Sequence, residues 1–185
     1  MTTRMPKLVA FDLDYTLWDL WIDTHVSGPL HRHKNTLNEV LDKHDTPVAF
    51  YRDVPQILHR LRKAEITVAA ASRTSAPNLA RQALNLLLVP NEPGQDDQAT
   101  KAIDFFDELE IYPGSKITHF KRIHQKTGIP YEEMLFFDDE HRNKEVEALG
   151  VTMCLVPNGV NHNVFEKGLS QWRTRYPAKV TGEDE

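Results

Sequence analysis

Two aspartates, Asp12 and Asp14, follow the apolar run 8–11, and Thr16 stands just beyond them. An unpaired buried charge is strongly unfavourable, so two carboxylates at the end of a buried strand need a compensating cation. A hard divalent ion such as Mg²⁺ suits carboxylate oxygens. The alternative is an Asx turn that closes the strand, where aspartate is also common. The pair taken alone leaves both interpretations open.

Two further apolar runs, 66–71 and 134–137, also end in polar residues. The first is followed by Ser72-Arg73-Thr74 and the second by Asp138-Asp139. In an open parallel sheet, ligand sites gather at the carboxyl ends of the strands, so we expect these groups to meet the first aspartate pair. Ser115-Lys116 opens a predicted helix, whose N-terminal end favours anions. Carboxylates, a hydroxyl group and a lysine are what phosphoryl transfer uses for positioning and charge stabilisation.

The string Phe11-Asp-Leu-Asp-Tyr-Thr-Leu-Trp18 resembles motif one of the haloacid dehalogenase superfamily, whose phosphatases carry Asp-x-Asp-x-Thr after a hydrophobic strand. Together with residues 21–26, it is similar to the magnesium-dependent phosphatase-1 family in particular. The similarity covers roughly residues 6–156. The other phosphatase motifs are also present, as Ser72-Arg73-Thr74, Gly114-Ser115-Lys116 and Phe137-Asp138-Asp139-Glu140.

This resemblance implies a Mg²⁺-dependent phosphatase that hydrolyses phosphate monoesters through an aspartyl-phosphate intermediate. It makes Asp12 the nucleophile and Asp14 the general acid and base. It also implies that Mg²⁺ is held by Asp12, the main-chain carbonyl of Asp14, and Asp139, with Asp138 beside or behind the ion. The motif leaves open which of the two neighbouring aspartates binds the metal directly. The implied substrate contacts come from Leu13, Ser72, Arg73 and Lys116.

Two other activities compete with hydrolysis. A phosphomutase or phosphotransferase of the same superfamily shares both aspartates, but it usually needs a larger cap to keep water out. A catalytically silent metal-binding scaffold is the alternative from a different class. The resemblance allows either a small phosphorylated substrate, such as a sugar phosphate, or a phosphoprotein of the phosphotyrosine type. The region 30–48 and the loop 89–100 depart from the family pattern, which leaves specificity undetermined.

The elements that must position these residues alternate between strands and helices, which predicts an α/β fold. We expect a three-layer Rossmann-like parallel sheet with helices on both faces, in a single haloacid dehalogenase-like domain over residues 1–185. Asp53-Val-Pro55-Gln56 has the pattern of a helix start, with an acidic N-cap, an early proline and a capping-box glutamine. Helices are predicted near residues 53–61, 76–87, 101–108, 117–126, 142–149 and 163–175, and a last strand at 152–156.

An insert at about residues 19–51 lacks strong periodicity and is too short to be an independent domain. We expect a small cap, a hairpin or flap over the site, although Leu37–Leu41 could form a helical turn instead. His31 and His33 could be a metal pair, but exposed loop histidines are commoner. In the loop 89–100, the pair Asp96-Asp97 is expected to be solvated.

Three other residues have both a structural and a functional interpretation. Trp18 and Trp21 could be core residues or walls of a substrate site. Lys116 could be an ordinary surface lysine, in which case Lys121 or Lys126 would supply the positive charge.

Composition narrows the class of protein. At 185 residues, with 40% hydrophobic and 26% charged residues, the chain is an ordinary globular one. The net charge of −5, part of it in the tail 182–185, argues against non-specific nucleic-acid binding. Neither a membrane span nor a signal peptide is visible. The single cysteine, Cys154, is expected to be a small buried hydrophobe and suits a reducing compartment. We expect a cytoplasmic monomer, with the nucleus still open.

Overall fold

A computed structural model of the chain describes residues 3–94 and 99–179. Its central sheet has five parallel strands, with the segment after Lys7 in the middle. The strands of the described residues are β1 (Leu8–Phe11), β2 (Val40–Leu41), β3 (Pro47–Val48), β4 (Thr67–Ser72), β5 (Leu88–Val89), β6 (Thr100–Lys101), β7 (Glu108–Ile111), β8 (Met134–Asp138) and β9 (Thr152–Leu155). The central sheet has the order β7-β4-β1-β8-β9.

Helices connect these strands in the alternation that the sequence predicts. The α-helices are α1 (Ile22–His25), α2 (Val54–Lys63), α3 (Pro77–Leu86), α4 (Lys116–Thr127) and α5 (His162–Arg175). Three 3₁₀ helices span Ala102–Phe105, Tyr131–Glu133 and His141–Leu149. Helix α4 ends at Gly128, whose φ of 67° is the left-handed conformation that a glycine C-cap adopts.

Alternate residues of each central strand face two separate apolar layers. From β1, Val9 and Phe11 pack with residues of α2, α3 and α5, whereas Leu8 and Ala10 pack with residues of α4 and the 3₁₀ helix before Gly150. Since successive side chains of a strand point to opposite faces, a continuous apolar run is what a doubly covered strand requires. The predicted three-layer α/β fold is confirmed.

The register of the sheet brings the predicted polar clusters to one edge. Phe11, the last residue of β1, lies beside Ala70 of β4 and Phe137 of β8. The backbone N–H of Asp12 then donates to the carbonyl of Phe137 over 3.0 Å. The residues that follow all three strands therefore meet at the carboxyl edge.

The insert folds as a short helix and a small hairpin. Val40 pairs with Val48 in an antiparallel ladder, so the helical turn considered for Leu37–Leu41 is wrong. Periodicity could not identify two-residue strands. Asp42, at the turn, is buried and accepts hydrogen bonds from the backbone N–H groups of Ser27, His44 and Thr46. The bond from Ser27 ties the hairpin to the segment that leaves α1, and the bonds from His44 and Thr46 close the turn itself.

The region between α3 and α4 differs most from the sequence prediction. The predicted helix at 101–108 is wrong beyond Phe105, because Glu108 begins the edge strand β7. The loop predicted at 89–100 is bounded by the β5–β6 ladder, in which Val89 pairs with Thr100. The pair Asp96-Asp97 lies outside the described residues, as does the acidic tail at 182–185.

The capping box predicted at the start of α2 does not form. Asp53 is the N-cap, but its side chain makes no capping bond. It accepts instead from the backbone N–H of His162, the first residue of α5, over 3.0 Å. The proline in the first turn is present as predicted.

The two ends of the described fold lie side by side. The guanidinium group of Arg4 stacks 4.3 Å from the ring centroid of Trp172 in α5 and also donates to the carbonyl oxygen of Tyr176. In return, Arg173 donates to the carbonyl oxygen of Arg4 over 2.8 Å. Among the described residues, no helix is both long enough and apolar enough to span a membrane.

Candidate active site

The chain turns sharply after β1, which lets Asp12 and Asp14 line the same cleft. The carbonyl of Leu13 accepts from the N–H groups of Thr16, at 3.0 Å, and of Leu17, at 2.8 Å. Tyr15 has a φ of 56°, in the left-handed region. The side chain of Leu13 is buried in the apolar core, so a substrate contact at this predicted position would have to come from its main chain.

Three carboxylates form the floor of the site. Asp12, Asp138 and Asp139 can each present one oxygen so that the three oxygens lie within 4.8 Å of one another. The hydroxyl group of Thr16 lies within reach of two of them, 3.3 Å from Asp12 Oδ2 and 3.4 Å from Asp139 Oδ1. It has one proton and can donate to one at a time.

Lys116 brings the positive charge that the sequence predicts. Its ammonium group lies 2.9 Å from Asp12 Oδ1 and 3.4 Å from Asp138 Oδ2, and it also donates to the carbonyl of Ala71. The lysine is 1% exposed, so it is not a surface residue. The alternative Lys126 pairs with Glu110 at 2.7 Å.

Electrostatics show that the cluster is short of positive charge. Burial raises the pKa of both Asp138 and Asp139, and the neighbouring charge of Asp12 raises each further. With all three carboxylates ionised, a single ammonium group would leave two negative charges unbalanced. All the donor atoms are carboxylate oxygens, the ligands that Mg²⁺ prefers. The residues present therefore fit a magnesium ion.

Asp14 has a different environment from the cluster. Its Oδ1 accepts from Trp18 Nε1 at 2.8 Å and from the backbone N–H of Ile22 at 3.1 Å. Both bonds use the same oxygen, which leaves Oδ2 without a hydrogen-bond partner among the described residues. Burial raises the pKa of Asp14 to about 6, despite the two bonds that favour its ionised form. A carboxyl group of this kind can carry and release a proton near neutral pH.

The remaining walls come from four segments of the chain. The cleft has a volume of about 340 Å³. Trp21 is 49% exposed and lines it, whereas Trp18 is buried, so the two tryptophans have different roles. The lining residues are Asp12, Asp14, Trp21, Asp23, Thr24, Ser72, Arg73, Thr74, Lys116, Glu140, Arg142 and Asn143.

The structure thus brings together Asp12, Asp14, Ser72, Arg73 and Lys116 at one cleft, with both predicted metal-site aspartates beside them. Among the described residues, the carboxylate cluster is the one group that could hold a metal, and the histidines of the insert form no such group.

Sequence reasoning missed two buried residues of the site. Thr16 was recognised as part of a motif but given no role, although its spacing from Asp12 was the available signal. Asn143, which is 2% exposed, lies five positions after Asp138. No pattern in the sequence distinguishes it from other asparagines.

Comparison with known proteins identifies the family. A model of the acid phosphatase family matches residues 4–175. The chain belongs to this family. A HAD-like hydrolase superfamily protein, P8B7.31, of Schizosaccharomyces pombe is 54% identical to this chain over 149 residues, covering 80% of this chain and 84% of the relative. Magnesium-dependent phosphatase 1 of Homo sapiens is 46% identical over 167 residues, covering 90% and 86%.

A solved structure shows the same fold. It is the N-terminal part of the protein BF1531 from Bacteroides fragilis, containing a phosphatase domain complexed with Mg, with a TM-score of 0.57 and 17% identity. The alignment covers 92% of this chain but 40% of that protein's chain. Together, the family model and the two relatives confirm the prediction of a haloacid dehalogenase superfamily phosphatase, an enzyme that hydrolyses phosphoric monoesters.

Proposed function

We propose that the chain hydrolyses phosphate monoesters through an aspartyl-phosphate on Asp12, with Asp14 as the general acid and base. The observation that carries this proposal is the placement of Asp12. Its carboxylate lies in the cleft, 2.9 Å from the Lys116 ammonium group, while Asp14 reaches the same cleft with one carboxyl oxygen free.

Mg²⁺ is the cofactor, and Asp12, Asp138 or Asp139, and the main-chain carbonyl of Asp14 would hold it. When bound, it supplies positive charge that balances the carboxylates and screens their repulsion of a phosphate anion. Lys116 contributes to the same balance from the protein side. Its contacts with Asp12 and with the Ala71 carbonyl also hold the nucleophile in a fixed orientation.

In the first half of the reaction, an oxygen of Asp12 forms a bond to phosphorus while the bond between phosphorus and the ester oxygen breaks. Asp14 donates its proton to the departing oxygen, so the alcohol leaves as a neutral molecule. Ser72 and Arg73 line the cleft, where the hydroxyl group of the first and the guanidinium group of the second would bind phosphoryl oxygens.

In the second half, the ionised Asp14 accepts a proton from water as the water attacks phosphorus. The bond between Asp12 and phosphorus breaks, inorganic phosphate is released, and both aspartates return to their starting states. Splitting one difficult displacement into two easier ones is the general advantage of a covalent intermediate.

The shape of the cleft favours hydrolysis over phosphoryl transfer to a second substrate. Of the insert, Trp21, Asp23 and Thr24 line the cleft, while the hairpin residues near Val40 and Val48 do not. No element of the size of a helical cap therefore shields the described cleft from water. We propose small sugar phosphates and phosphoproteins as the two substrate classes, and a panel of phosphometabolites and phosphopeptides would distinguish them.

Trapping the intermediate tests this proposal. Incubation with an aryl phosphate and Mg²⁺, followed by borohydride, should convert Asp12 to homoserine, which peptide mass spectrometry locates. Omitting Mg²⁺ by adding a chelator should abolish both turnover and the modified peptide. Modification of another residue, or turnover with no trapped intermediate under any quench, would favour direct attack by water instead.

A further inference from the structure

A side-chain bridge connects the substrate side of the cleft to the carboxylate cluster. Asn143 lies in the 3₁₀ helix His141–Leu149 that follows β8. Its Nδ2 donates to Asp138 Oδ2 over 2.9 Å, and its Oδ1 accepts from Arg73 Nη1 over 3.4 Å. Arg73 and Asn143 are 70 positions apart in the sequence, and both line the cleft.

The orientation of this amide follows from its partners. An arginine can only donate, and an ionised carboxylate can only accept, so the carbonyl oxygen of Asn143 must face Arg73 and its NH₂ group must face Asp138. A neutral asparagine side chain offers both functions in this order. Aspartate lacks the donor, and leucine lacks both.

Asp138 is held from several sides by this arrangement. Its Oδ1 accepts from the N–H of Glu140 over 2.7 Å, while its Oδ2 faces both Asn143 and the Lys116 ammonium group. Lys116 in turn contacts Asp12. A continuous chain of polar contacts therefore runs from Arg73 through Asn143, Asp138 and Lys116 to the nucleophile.

We propose that Asn143 is a positioning residue, which aims Arg73 at the phosphoryl group and holds Asp138 in the orientation that the metal site needs. This proposal rests on the proposed function, because it assigns Arg73 to the substrate. Asn143 does not itself attack or transfer a proton. Residues that orient the ligands of a metal site typically change affinity or activity by about 10–100-fold when they are replaced.

The test uses Asn143→Ala, Arg73→Ala and the double variant in the full chain, with Glu145→Ala as a control on the exposed side of the same helix. With an aryl phosphate and saturating Mg²⁺, Asn143→Ala should raise KM by about 10-fold. In the Arg73→Ala background, Asn143→Ala should raise KM far less, because the guanidinium group that Asn143 positions is absent. Glu145→Ala should leave both kcat and KM unchanged.

A second readout avoids activity. In the wild type, added Mg²⁺ should raise the melting temperature, and the Mg²⁺ concentration that gives half of this rise should increase about 10-fold in Asn143→Ala. Asn143→Asp keeps an acceptor for Arg73 but places a carboxylate against Asp138. Its KM should therefore lie close to the wild-type value, while the Mg²⁺ dependence of its melting temperature should still differ from that of the wild type.

Three outcomes would overturn the proposal. The first is that Asn143→Ala raises KM equally in the wild-type and Arg73→Ala backgrounds. The second is that the Mg²⁺ concentration giving half of the rise in melting temperature does not change. The third is that Asn143→Ala lowers only the melting temperature measured without Mg²⁺, which would indicate that the residue serves packing alone. Asp12→Asn, assayed in parallel, separates this failure from that of the proposed function. If Asp12→Asn retained turnover, the function would be wrong. If it lost turnover while Asn143→Ala behaved as wild type, only the bridge would be wrong.

Discussion

Asp138 at the cleft and Asp42 in the insert hairpin are both buried aspartates, with 0% and 1% of their surfaces exposed. Their ionisation is nevertheless shifted in opposite directions. The pKa of Asp42 is lowered to about 2 by hydrogen bonds from the backbone N–H groups of Ser27, Thr46 and His44. The pKa of Asp138 is raised by its burial and by the charge of Asp12.

Donor number alone does not explain this contrast. Asp138 also accepts hydrogen bonds, from Glu140 and Asn143, and faces Lys116. What distinguishes it is first the larger cost of burying its charge and then the nearby charge of Asp12, whereas the partners of Asp42 are neutral. The hairpin carboxylate is satisfied by the fold itself. The cleft carboxylates form an arrangement that is completed only when a cation binds.

The sharpest test of this contrast replaces one aspartate from each region by asparagine. Asp12→Asn keeps the shape of the side chain but removes the anionic nucleophile, so turnover of nitrophenyl phosphate should fall below detection. Asp42→Asn should keep the wild-type kcat, because that carboxylate is structural. A steady-state assay on both folded variants makes the comparison. A dead but folded Asp42→Asn variant would show that the insert completes the catalytic site.

A smaller but selective loss is expected at Asp14. Asp14→Asn removes the proton donor and leaves the nucleophile, and general acid–base catalysis is typically worth about 10²–10⁴-fold. The loss in kcat should be greatest for alkyl phosphates, whose leaving oxygen needs a proton, and smallest for nitrophenyl phosphate. Equal losses on the two ester classes would contradict the assignment of Asp14 as the general acid.

Mg²⁺ should raise the melting temperature by binding to the carboxylate cluster, and the hairpin should not contribute to this rise. At a concentration 100 times its dissociation constant, a ligand that binds only the folded state contributes about 2.7 kcal/mol. In a protein of this size, that corresponds to a rise of roughly 5–10 °C in melting temperature. Thermal melts with Mg²⁺ or a chelator check this expectation. Asp42→Asn should keep the full rise, and Asp139→Asn should reduce it.

The smallest expected effect concerns the acid stability of the hairpin. Folding lowers the pKa of Asp42 from 3.8 to about 2. Its carboxylate therefore stabilises the fold at pH values above 3.8, the pKa in the unfolded chain, and this contribution is lost as the pH falls through about 2. Asp42→Asn should melt a few degrees lower at neutral pH, and the difference from wild type should shrink in acid. The exposed Asp45→Asn is the matched control. A constant difference at every pH would show that the charge of Asp42 does not matter.

The sequence predicted the parts of the molecule in which local pattern and fold agree. The cores of β1, β4 and β8 are continuous apolar runs because helices cover both faces of these strands. Strand β7 was missed because it lies at an edge and alternates charged with apolar residues, Glu108 and Glu110 among them. Glu110 is nonetheless buried, since Lys126 pairs with it at 2.7 Å.

The candidate site shows the same division. Positions that follow an apolar run or open a helix can be recognised from the sequence alone, and these include Asp12, Asp14 and Lys116. The bridge from Arg73 to Asn143 joins two segments far apart in the chain, and Asn143 carries no local pattern that would predict the contact. The role of Asp42 was likewise invisible, because its partners are backbone N–H groups, which every residue but proline has.

The adjacency of Arg4 and Tyr176 has a consequence for engineering the chain. Since Arg4 contacts both Trp172 and Tyr176, a short linker could join the two ends without crossing the fold, and short loops are closed at little entropic cost. Circular permutation usually succeeds at exposed loop tips. New ends opened beside the exposed residue Asn35 would leave β1, β4 and β8 intact. Binding modules could then be fused at the new ends, while the insert residues that pack in the core and line the cleft stay in place.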